Sequence, residues 1–235
     1  MIKQVIILAG GLGTRLRSVV SEIPKCMALV AGKPFLHYVL AHLTKAGISD
    51  YIFSVGYKSE NIIGYINDHS EKNTKLRVQF SLEDEPLGTG GAIQLALEKV
   101  AEENVLICNG DTLFKVNLDQ LNHFHTQHKA DCSLCLKPME HFDRYGAVVT
   151  NQDNCITSFE EKRFYETGFI NGGIYLLNAD NFRKERFPIK FSFEKEYLEK
   201  NVLKGKLYGL VQDEYFIDIG IPEDYSRAQK ELLTE

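Results

Sequence analysis

The chain contains no hydrophobic run long enough to cross a membrane and no excess of basic residues. The apolar run near its N-terminus, Val5 to Ala9, is too short for a signal-peptide core or a membrane span. Lys and Arg number 27 against 32 Asp and Glu, a formal net charge of −5. General nucleic-acid binders usually present a clearly basic surface. We therefore expect neither a nucleic-acid partner nor a membrane partner.

The cysteines are odd in number and most lie inside apolar runs, so a disulfide scaffold is not expected. Reduced thiols in a cytoplasmic protein are the better interpretation. Cys132 and Cys135 form a C-x-x-C, but in a segment typical of a β-strand. Residues three apart on a strand point to opposite faces, so we expect no metal or redox role for this pair.

Composition and length indicate one ordinary globular domain, with 44% apolar and 25% charged residues among 235. In the first half, apolar runs typical of strands alternate with helical patterns, which predicts a mainly parallel sheet covered by helices on both faces. The predicted strands are 5–9, 51–55, 76–82 and 104–108, and the predicted helices are 34–46, 59–66 and 91–100. In the second half, runs at 132–137, 146–150, 155–160 and 168–177 predict antiparallel additions before a final helix at 222–233.

A glycine-rich segment, LAGGLGTRL at residues 8–16, directly follows the first strand. It matches neither the P-loop nor the dinucleotide-binding fingerprint. It does end in Arg15, with Pro24 and Lys25 shortly after, and residues 1–34 carry a net charge of +4. Backbone amides of a glycine turn together with cationic side chains suit a triphosphate. The alternative is a tight turn with solvated basic residues.

Two aspartates follow apolar strands and stand beside glycines: Asp111 in Asn109-Gly-Asp, and Asp218 in Asp-Ile-Gly220. Ligands of open α/β sheets bind at the carboxyl ends of the strands. Two carboxylates there could hold one Mg²⁺, which also keeps phosphates and waters in its shell. Taken singly, each aspartate is more often a turn or cap residue.

The motifs LAGGLGTRL, IPKCMALVAGKP, EPLGTGGA, NGD, FEEK, NGG and IDIGIPEDY occur in this order between residue 2 and about residue 230. In this order they resemble the sugar-1-phosphate nucleotidyltransferases. The resemblance implies a Rossmann-like mixed α/β fold of one domain, residues 1–235, with a nucleotide-binding part at about 1–112 and a sugar-binding part at about 113–220. It also implies that an NTP and a sugar 1-phosphate react, with Mg²⁺, to an NDP-sugar and pyrophosphate.

The resemblance implies a role for each matching residue of this chain. The implied catalytic residues are Arg15, at the departing pyrophosphate, and Lys25, between the sugar phosphate and the α-phosphate. The implied nucleotide-binding residues are Leu8, Gly10, Gly11, Gly13, Thr14, Glu83 and Gly88, and the implied metal ligands are Asp111 and Asp218. The implied sugar-phosphate-binding residues are Asn109, Tyr145, Gly146, Glu161, Lys162 and Asn171.

The chain departs from the family pattern at two positions. Cys26 stands where Pro-Lys-Pro is usual, which we expect to loosen the loop that holds Lys25. Arg163 stands where Glu-Lys-Pro is usual. Neither change removes a functional group, so we expect an active enzyme.

Glu83 occupies the position where relatives specific for uracil or thymine tend to carry Gln. Guanine presents two adjacent donors, which suit a carboxylate, so Glu83 favours GTP. The alternative is that Glu83 is one of three solvated acids with Asp84 and Glu85.

The sequence as a whole is similar to the group within the family that acts on D-glycero-α-D-manno-heptose 1-phosphate for bacterial surface polysaccharides. Mannose 1-phosphate guanylyltransferases and MurNAc 1-phosphate uridylyltransferases remain alternatives. A non-catalytic nucleotide-sugar-binding regulator is disfavoured by the retained Arg15, Lys25, Asp111 and Asp218. A retaining glycosyltransferase would normally show an Asp-x-Asp metal motif, which the chain lacks. A homo-oligomer is left open.

Three histidines, His123, His125 and His128, lie in a predicted helix that begins at Leu118. His125 and His128 share a face of this helix, while His123 points away. We expect a solvated helix face here and not a metal cluster.

Overall fold

A computed structural model describes residues 1–11, 23–71 and 76–233, and the structural statements below concern these residues. The strands are β1 Gln4–Leu8, β2 Leu29–Val30, β3 Lys33–Pro34, β4 Asp50–Val55, β5 Arg77–Leu82, β6 Asn104–Asn109, β7 Thr112–Phe114, β8 Cys132–Phe142, β9 Val148–Thr150, β10 Ile156–Phe159, β11 Tyr165–Asn178, β12 Leu207–Val211 and β13 Phe216–Asp218. The α-helices are α1 Phe35–Lys45, α2 Ser59–Glu71, α3 Gly88–Ala96, α4 Leu118–His128, α5 Ala179–Arg183 and α6 Pro222–Glu231. Short 3₁₀ turns lie at Lys25–Met27, Leu97–Lys99 and Val202–Lys204, and a π-helix covers Phe193–Glu199.

A seven-stranded sheet in the order β12-β8-β11-β6-β1-β4-β5 is the centre of the fold. Strands β6, β1, β4 and β5 run parallel to one another, and β12 runs parallel to β8. Only β11 runs against both of its neighbours in this sheet, β6 and β8. The predicted α/β class with a mainly parallel sheet is therefore confirmed.

Apolar side chains alternate along the strands, so each strand contributes to hydrophobic cores on both faces of the sheet. In β1, Val5 and Ile7 belong to one core and Ile6 to the other. The first core includes the buried face of α1, and the second includes residues of α3, α5 and the π-helix. Cys132 and Cys135 also fall into opposite cores, as expected for residues three apart on a strand.

The predicted antiparallel additions in the second half of the chain are confirmed. The runs at 132–137 and 168–177 belong to β8 and β11, which extend the main sheet, and only β11 reverses direction. The runs at 146–150 and 155–160 form a separate two-stranded ribbon of β9 and β10. None of the helices in the described ranges combines the length and apolar character that a bilayer crossing requires.

The carboxyl ends of the parallel strands meet at one edge of the sheet. Leu8 lies in register with Ser54 of β4 and Asn109 of β6, and Val55 lies in register with Leu82 of β5. The segments that follow these strands are therefore neighbours in space, although they are far apart in sequence. Ligand sites of open α/β sheets form at such an edge.

His125 contradicts the expectation of a solvated histidine face on α4, because it is 2% exposed. Its ring nitrogens lie 2.9 Å from Ser133 Oγ and 3.1 Å from Asn104 Oδ1. Helix α4 packs with Leu118 and Leu121 buried, and His125 continues the same face one turn later. His123 is exposed, as expected.

We predict that His125 makes stability depend on pH. Burial lowers the pKa of His125 from 6.5 to about 4, and the charge of Asp131 offsets this only in part. Between pH 6.5 and about 4, His125 is therefore protonated in the unfolded chain but stays neutral in the folded chain. The contribution of His125 to the free energy of unfolding is complete above pH 6.5 and decreases as the pH falls towards about 4. The loss approaches about 1.4 kcal/mol per pH unit.

Urea unfolding of the wild type and His125→Asn between pH 7.5 and 5 measures this dependence. The variant should lose less stability over this range than the wild type, because its side chain does not titrate. Equal slopes for the two proteins would contradict the prediction.

Candidate active site

The strand ends surround a cleft of about 540 Å³, here the first cleft. Every described residue expected to bind the nucleotide lines it, namely Leu8, Gly10, Gly11, Glu83 and Gly88. Lys25, Asp111 and Asp218 line it as well. Gly13, Thr14 and Arg15, which carry further predictions, lie outside the described residues.

A larger cleft of about 910 Å³, here the second cleft, lies beside the first. The residues expected to bind the sugar phosphate all line it: Asn109, Tyr145, Gly146, Glu161, Lys162 and Asn171. The two clefts share Asn109, Thr112, Asp218 and Gly220 as lining residues. Molecules bound in the two clefts would therefore meet beside Asp218.

Asp111 and Asp218 are brought together by the pairing of β7 with β13. Thr112 lies opposite Asp218 in this ribbon, and the Ile219 amide donates to the Asp111 carbonyl at 3.1 Å. Lys25 Nζ contacts both carboxylates, at 2.6 Å from Asp111 Oδ2 and 3.5 Å from Asp218 Oδ1. Asp218 Oδ1 also accepts a hydrogen bond from the Gly220 amide at 2.7 Å.

Burial and mutual charge set the electrostatics of this triad. Burial, together with the charge of Asp111, raises the pKa of Asp218 despite the opposing effect of Lys25. Burial alone would lower the pKa of Lys25, but the two carboxylates outweigh it and the pKa is raised. The Lys25 ammonium group thus lies between two carboxylates that repel each other. Shifted pKa values with charged partners in a cleft are typical of functional sites.

The donor set fits a magnesium ion. Mg²⁺ is usually held by one or two carboxylates and completes its shell with substrate phosphates and water. Asp111 and Asp218 offer two partly exposed carboxylates, with side-chain exposures of 33% and 27%. No cluster of three or more acidic, His or Cys ligands occurs within residues 1–11, 23–71 and 76–233. Such a cluster would favour an all-protein cage instead.

The turn that carries Lys25 is held by backbone hydrogen bonds, with Cys26 at the position where proline is usual. The Met27 amide donates to the Pro24 carbonyl at 2.8 Å, and the Ala28 amide donates to the Lys25 carbonyl at 3.0 Å. Cys26 is 3% exposed in the core, and burial raises the pKa of its thiol to about 12. An inert, buried thiol therefore takes the place of the usual proline.

Glu83 is held in place from two sides. Its Oε1 accepts a hydrogen bond from Ser54 Oγ at 3.1 Å, and its Oε2 accepts one from the Leu87 amide at 3.1 Å. A Cβ atom on Gly10 would lie 2.5 Å from Glu83 Oε1, so Gly10 leaves the space that this carboxylate occupies. Glu83 is therefore a fixed, half-buried wall of the first cleft and not one of three solvated acids.

The glycines around Gly88 serve packing as well as the cleft. Gly88 has φ +74°, and a Cβ there would lie 2.5 Å from the Phe191 carbonyl oxygen. The Gly90 and Phe193 amides donate to the Phe191 carbonyl and Thr89 Oγ1, respectively. The GTGGA motif thus lets the segment before the π-helix lie directly on α3, a constraint that the sequence pattern did not reveal.

Asn171 and the glycines after it form an irregular turn within β11. The register of β11 with β8 shifts between Asn171 and Tyr175, and a Cβ on Gly173 would lie 2.6 Å from Asn109 Nδ2. Asn171 Oδ1 accepts from the Gly173 amide at 3.0 Å, and Asn171 Nδ2 donates to Tyr175 Oη at 2.9 Å. One amide hydrogen of Asn171 is left for a ligand.

Sequence reasoning missed several residues of the second cleft. Arg144 pairs with the buried Asp224 of α6 at 2.8 Å, and both line the cleft. Tyr175 and Glu194 line it too. Arg144 stands next to the matched Tyr145, a neighbour that could have signalled it, but Glu194 lies in a helical segment without a distinctive motif.

The family model for nucleotidyl transferases matches residues 4–235. The chain therefore belongs to the nucleotidyl transferase family.

The similar proteins are close in length as well as in sequence. The D-glycero-alpha-D-manno-heptose 1-phosphate guanylyltransferase of Aneurinibacillus thermoaerophilus is 52% identical over 97% of this chain and 98% of its own length. The enzyme of the same name from Campylobacter jejuni subsp. jejuni is 46% identical over 94% and 96%. Two crystal structures of HddC from Yersinia pseudotuberculosis match with TM-scores of 0.85 and 0.83. They are 36% and 35% identical to this chain, and each match covers 98% of this chain and the whole of the HddC chain. The second is a complex with GMP-PN. The resemblance seen in the motifs is confirmed, including the heptose group within the family.

We predict that Gly90→Ala destabilises the protein, because its methyl group would overlap the Phe191 ring. Overpacking of this kind costs about 1–3 kcal/mol. Gly64→Ala is the matched control, since Gly64 also lies in an α-helix but has open space around it. That change should stabilise by about 0.5–1 kcal/mol. Denaturant unfolding measures both, and a Gly90→Ala variant as stable as Gly64→Ala would disprove the packing role.

Proposed function

We propose that the protein transfers a guanylyl group from GTP to D-glycero-α-D-manno-heptose 1-phosphate, which releases pyrophosphate and yields the GDP-sugar for surface-polysaccharide synthesis. The observation that carries the proposal is the junction of the two clefts at Lys25, Asp111 and Asp218. Charge neutralisation is available where two anionic substrates would meet. We place the reaction in the cytoplasm, in agreement with five free thiols.

In this reaction an oxygen of the sugar phosphate attacks the α-phosphorus of GTP, and the bond from the α-phosphorus to the β-phosphate oxygen breaks. No general base is needed, because the attacking oxygen is already ionised at neutral pH. The chain therefore has to position two anions and offset their charge. Lys25 has three ammonium hydrogens; two can be donated to Asp111 and Asp218, which leaves the third for a phosphate oxygen. We assign Arg15 to the departing pyrophosphate.

Members of this family generally use a divalent metal ion, and we propose Mg²⁺ held by Asp111 and Asp218. The ion supplies positive charge to the reacting phosphates.

For the base, we propose that Glu83 accepts hydrogen bonds from guanine. Each of its oxygens accepts one hydrogen bond within the protein, so each keeps a lone pair for a ligand. The similar enzymes from A. thermoaerophilus and C. jejuni are both named as guanylyltransferases, which supports GTP as the donor. Leu8, Gly10, Gly11, Gly13, Thr14 and Gly88 would surround the rest of the nucleotide.

For the sugar phosphate, we propose binding in the second cleft, by Lys162 at the phosphate and Glu161 at the ring hydroxyls. Tyr145, Gly146, Asn109 and Asn171 would complete the site. The linings of the clefts also support the proposed division of a single domain into a nucleotide part at about 1–112 and a sugar part at about 113–220. Mannose 1-phosphate or MurNAc 1-phosphate as acceptor, a glycosyltransferase and a non-catalytic regulator are the alternatives that the tests below distinguish.

We predict that GTP is the preferred donor and the manno-heptose 1-phosphate the preferred acceptor. Pyrophosphate release is measured with GTP, UTP, CTP and dTTP, each combined with the 1-phosphates of heptose, mannose, glucose and MurNAc. Glu83→Gln should weaken the preference for GTP over UTP, because an amide pairs poorly with two adjacent donors. A wild type that strongly prefers UTP would overturn the guanine assignment, and no pyrophosphate from any pair would favour the regulator.

We predict that Asp218→Asn and Arg15→Ala each lower kcat by at least about a hundredfold, the loss typical of a removed electrostatic partner in a transition state. Asp213→Asn is the control for the aspartate change, because Asp213 is 78% exposed on its ion pair with Lys137 and lines neither cleft. Thermal unfolding verifies that the variants are folded. Near-normal turnover in either variant would refute the role assigned to that residue.

A further inference from the structure

Glu194 lies in the π-helix Phe193–Glu199 and lines the second cleft. Two hydroxyl groups converge on one of its oxygens: Thr89 Oγ1 lies 2.7 Å from Glu194 Oε2, and Ser192 Oγ lies 2.8 Å from it. Thr89 belongs to α3 and lines the first cleft, so the contact joins the walls of the two clefts.

The directions of these hydrogen bonds are determined by their neighbours. Thr89 Oγ1 accepts from the Phe193 amide at 2.9 Å, and Ser192 Oγ accepts from the Lys195 amide at 3.2 Å. Since each hydroxyl has a single hydrogen and already accepts from an amide, that hydrogen is free to point at Glu194. Glu194 Oε2 therefore accepts both hydrogen bonds, which hold the carboxylate in one orientation before any ligand binds.

Glu194 has no cationic partner within the part of the chain that the structure describes, and its Oε1 takes part in none of the hydrogen bonds found there. Glu196, two residues along, shows the contrast. Its Oε2 accepts from the Ser192 amide at 2.7 Å, which is a local helix-start contact, and it lines neither cleft. An oriented, half-buried carboxylate oxygen on a cleft wall requires a donor, from water or from a ligand.

Tyr175 supplies a hydrogen-bond donor on the wall of the same cleft. Its side chain is 2% exposed and its hydroxyl accepts from Asn171 Nδ2 at 2.9 Å, which leaves the phenolic hydrogen to be donated. Burial and the charge of Glu194 raise the pKa of Tyr175, so the phenol stays protonated. Both residues line the second cleft. A phenol donor near a carboxylate acceptor matches a sugar hydroxyl, which accepts one hydrogen bond and donates another.

We propose that Glu194 is a specificity-determining residue of the sugar site: its free carboxylate oxygen accepts a hydrogen bond from a hydroxyl of the sugar 1-phosphate, and Tyr175 donates to the same hydroxyl. This inference rests on the proposed function, because it requires a sugar phosphate in the second cleft. Glu194 would then be a second carboxylate, besides Glu161, that accepts hydrogen bonds from hydroxyl groups of the sugar. Through Thr89 it also connects the sugar-reading group to the helix that borders the nucleotide.

Glu194→Gln tests the proposal while preserving size and an oxygen for the Thr89 and Ser192 hydroxyls. A hydrogen bond to a charged group is lost, so kcat/KM for the sugar 1-phosphate should fall about ten- to a hundredfold. The KM for GTP should stay unchanged. Glu196→Gln is the matched control, with the same chemical change on the same helix outside both clefts, and should behave as the wild type towards both substrates.

Deoxy analogues of the best acceptor, each lacking one hydroxyl, identify the group that Glu194 reads. For one analogue, kcat/KM should be the same for the wild type and Glu194→Gln. Tyr175→Phe should also have the wild-type kcat/KM with this analogue. Equal kcat/KM for the wild type and Glu194→Gln with every acceptor overturns the inference. An equal loss of kcat/KM for GTP and for the sugar 1-phosphate also overturns it, because the role of Glu194 would then be structural. Wild-type turnover of any donor and acceptor pair is read separately. Its absence overturns the proposed function itself, and the inference falls with it.

Discussion

The placement of Lys25 between Asp111 and Asp218 is the constraint on which the active-site edge depends. Two partly buried carboxylates at one site repel each other, and the Lys25 ammonium group, at 2.6 and 3.5 Å from them, offsets this repulsion. The three residues come from a 3₁₀ turn, from the loop after β6 and from the end of β13. The pairing of β7 with β13 and the hydrogen-bonded turn at Lys25 therefore position the three charged groups.

The direction of the strands explains why both clefts open at the same edge. Strands β1, β4, β5 and β6 end there, and they deliver Gly10, Glu83 and Asp111. Strand β11 runs the other way, so its early residues reach the same edge, where the turn at Asn171 to Gly173 presses against Asn109. One reversed strand thus places the second cleft next to the first.

Local sequence was a good guide to the strands and to the residues at their ends. Every described residue expected at the nucleotide or sugar phosphate lines the matching cleft. It was a poor guide where long-range packing decides. His125 was expected on a solvated helix face, but it is buried beside Ser133 and Asn104. Gly88 was expected at the nucleotide, but the glycines of its motif also leave room for Phe191. In each case the partner belongs to another element of the fold, and the local pattern does not show that the two elements pack together.

The sequence by itself determined the α/β class, the positions of the strand ends and the chemical groups that follow them, because apolar periodicity and glycine motifs are local properties. Only the tertiary structure decided that Lys25 bridges Asp111 and Asp218, that Glu83 is pinned between Ser54 and Leu87, and that Glu194 faces the second cleft. These arrangements follow from strand order and from helix-to-sheet packing. Lys25 lies 86 positions from Asp111 and 193 from Asp218, so no local pattern could show that they meet.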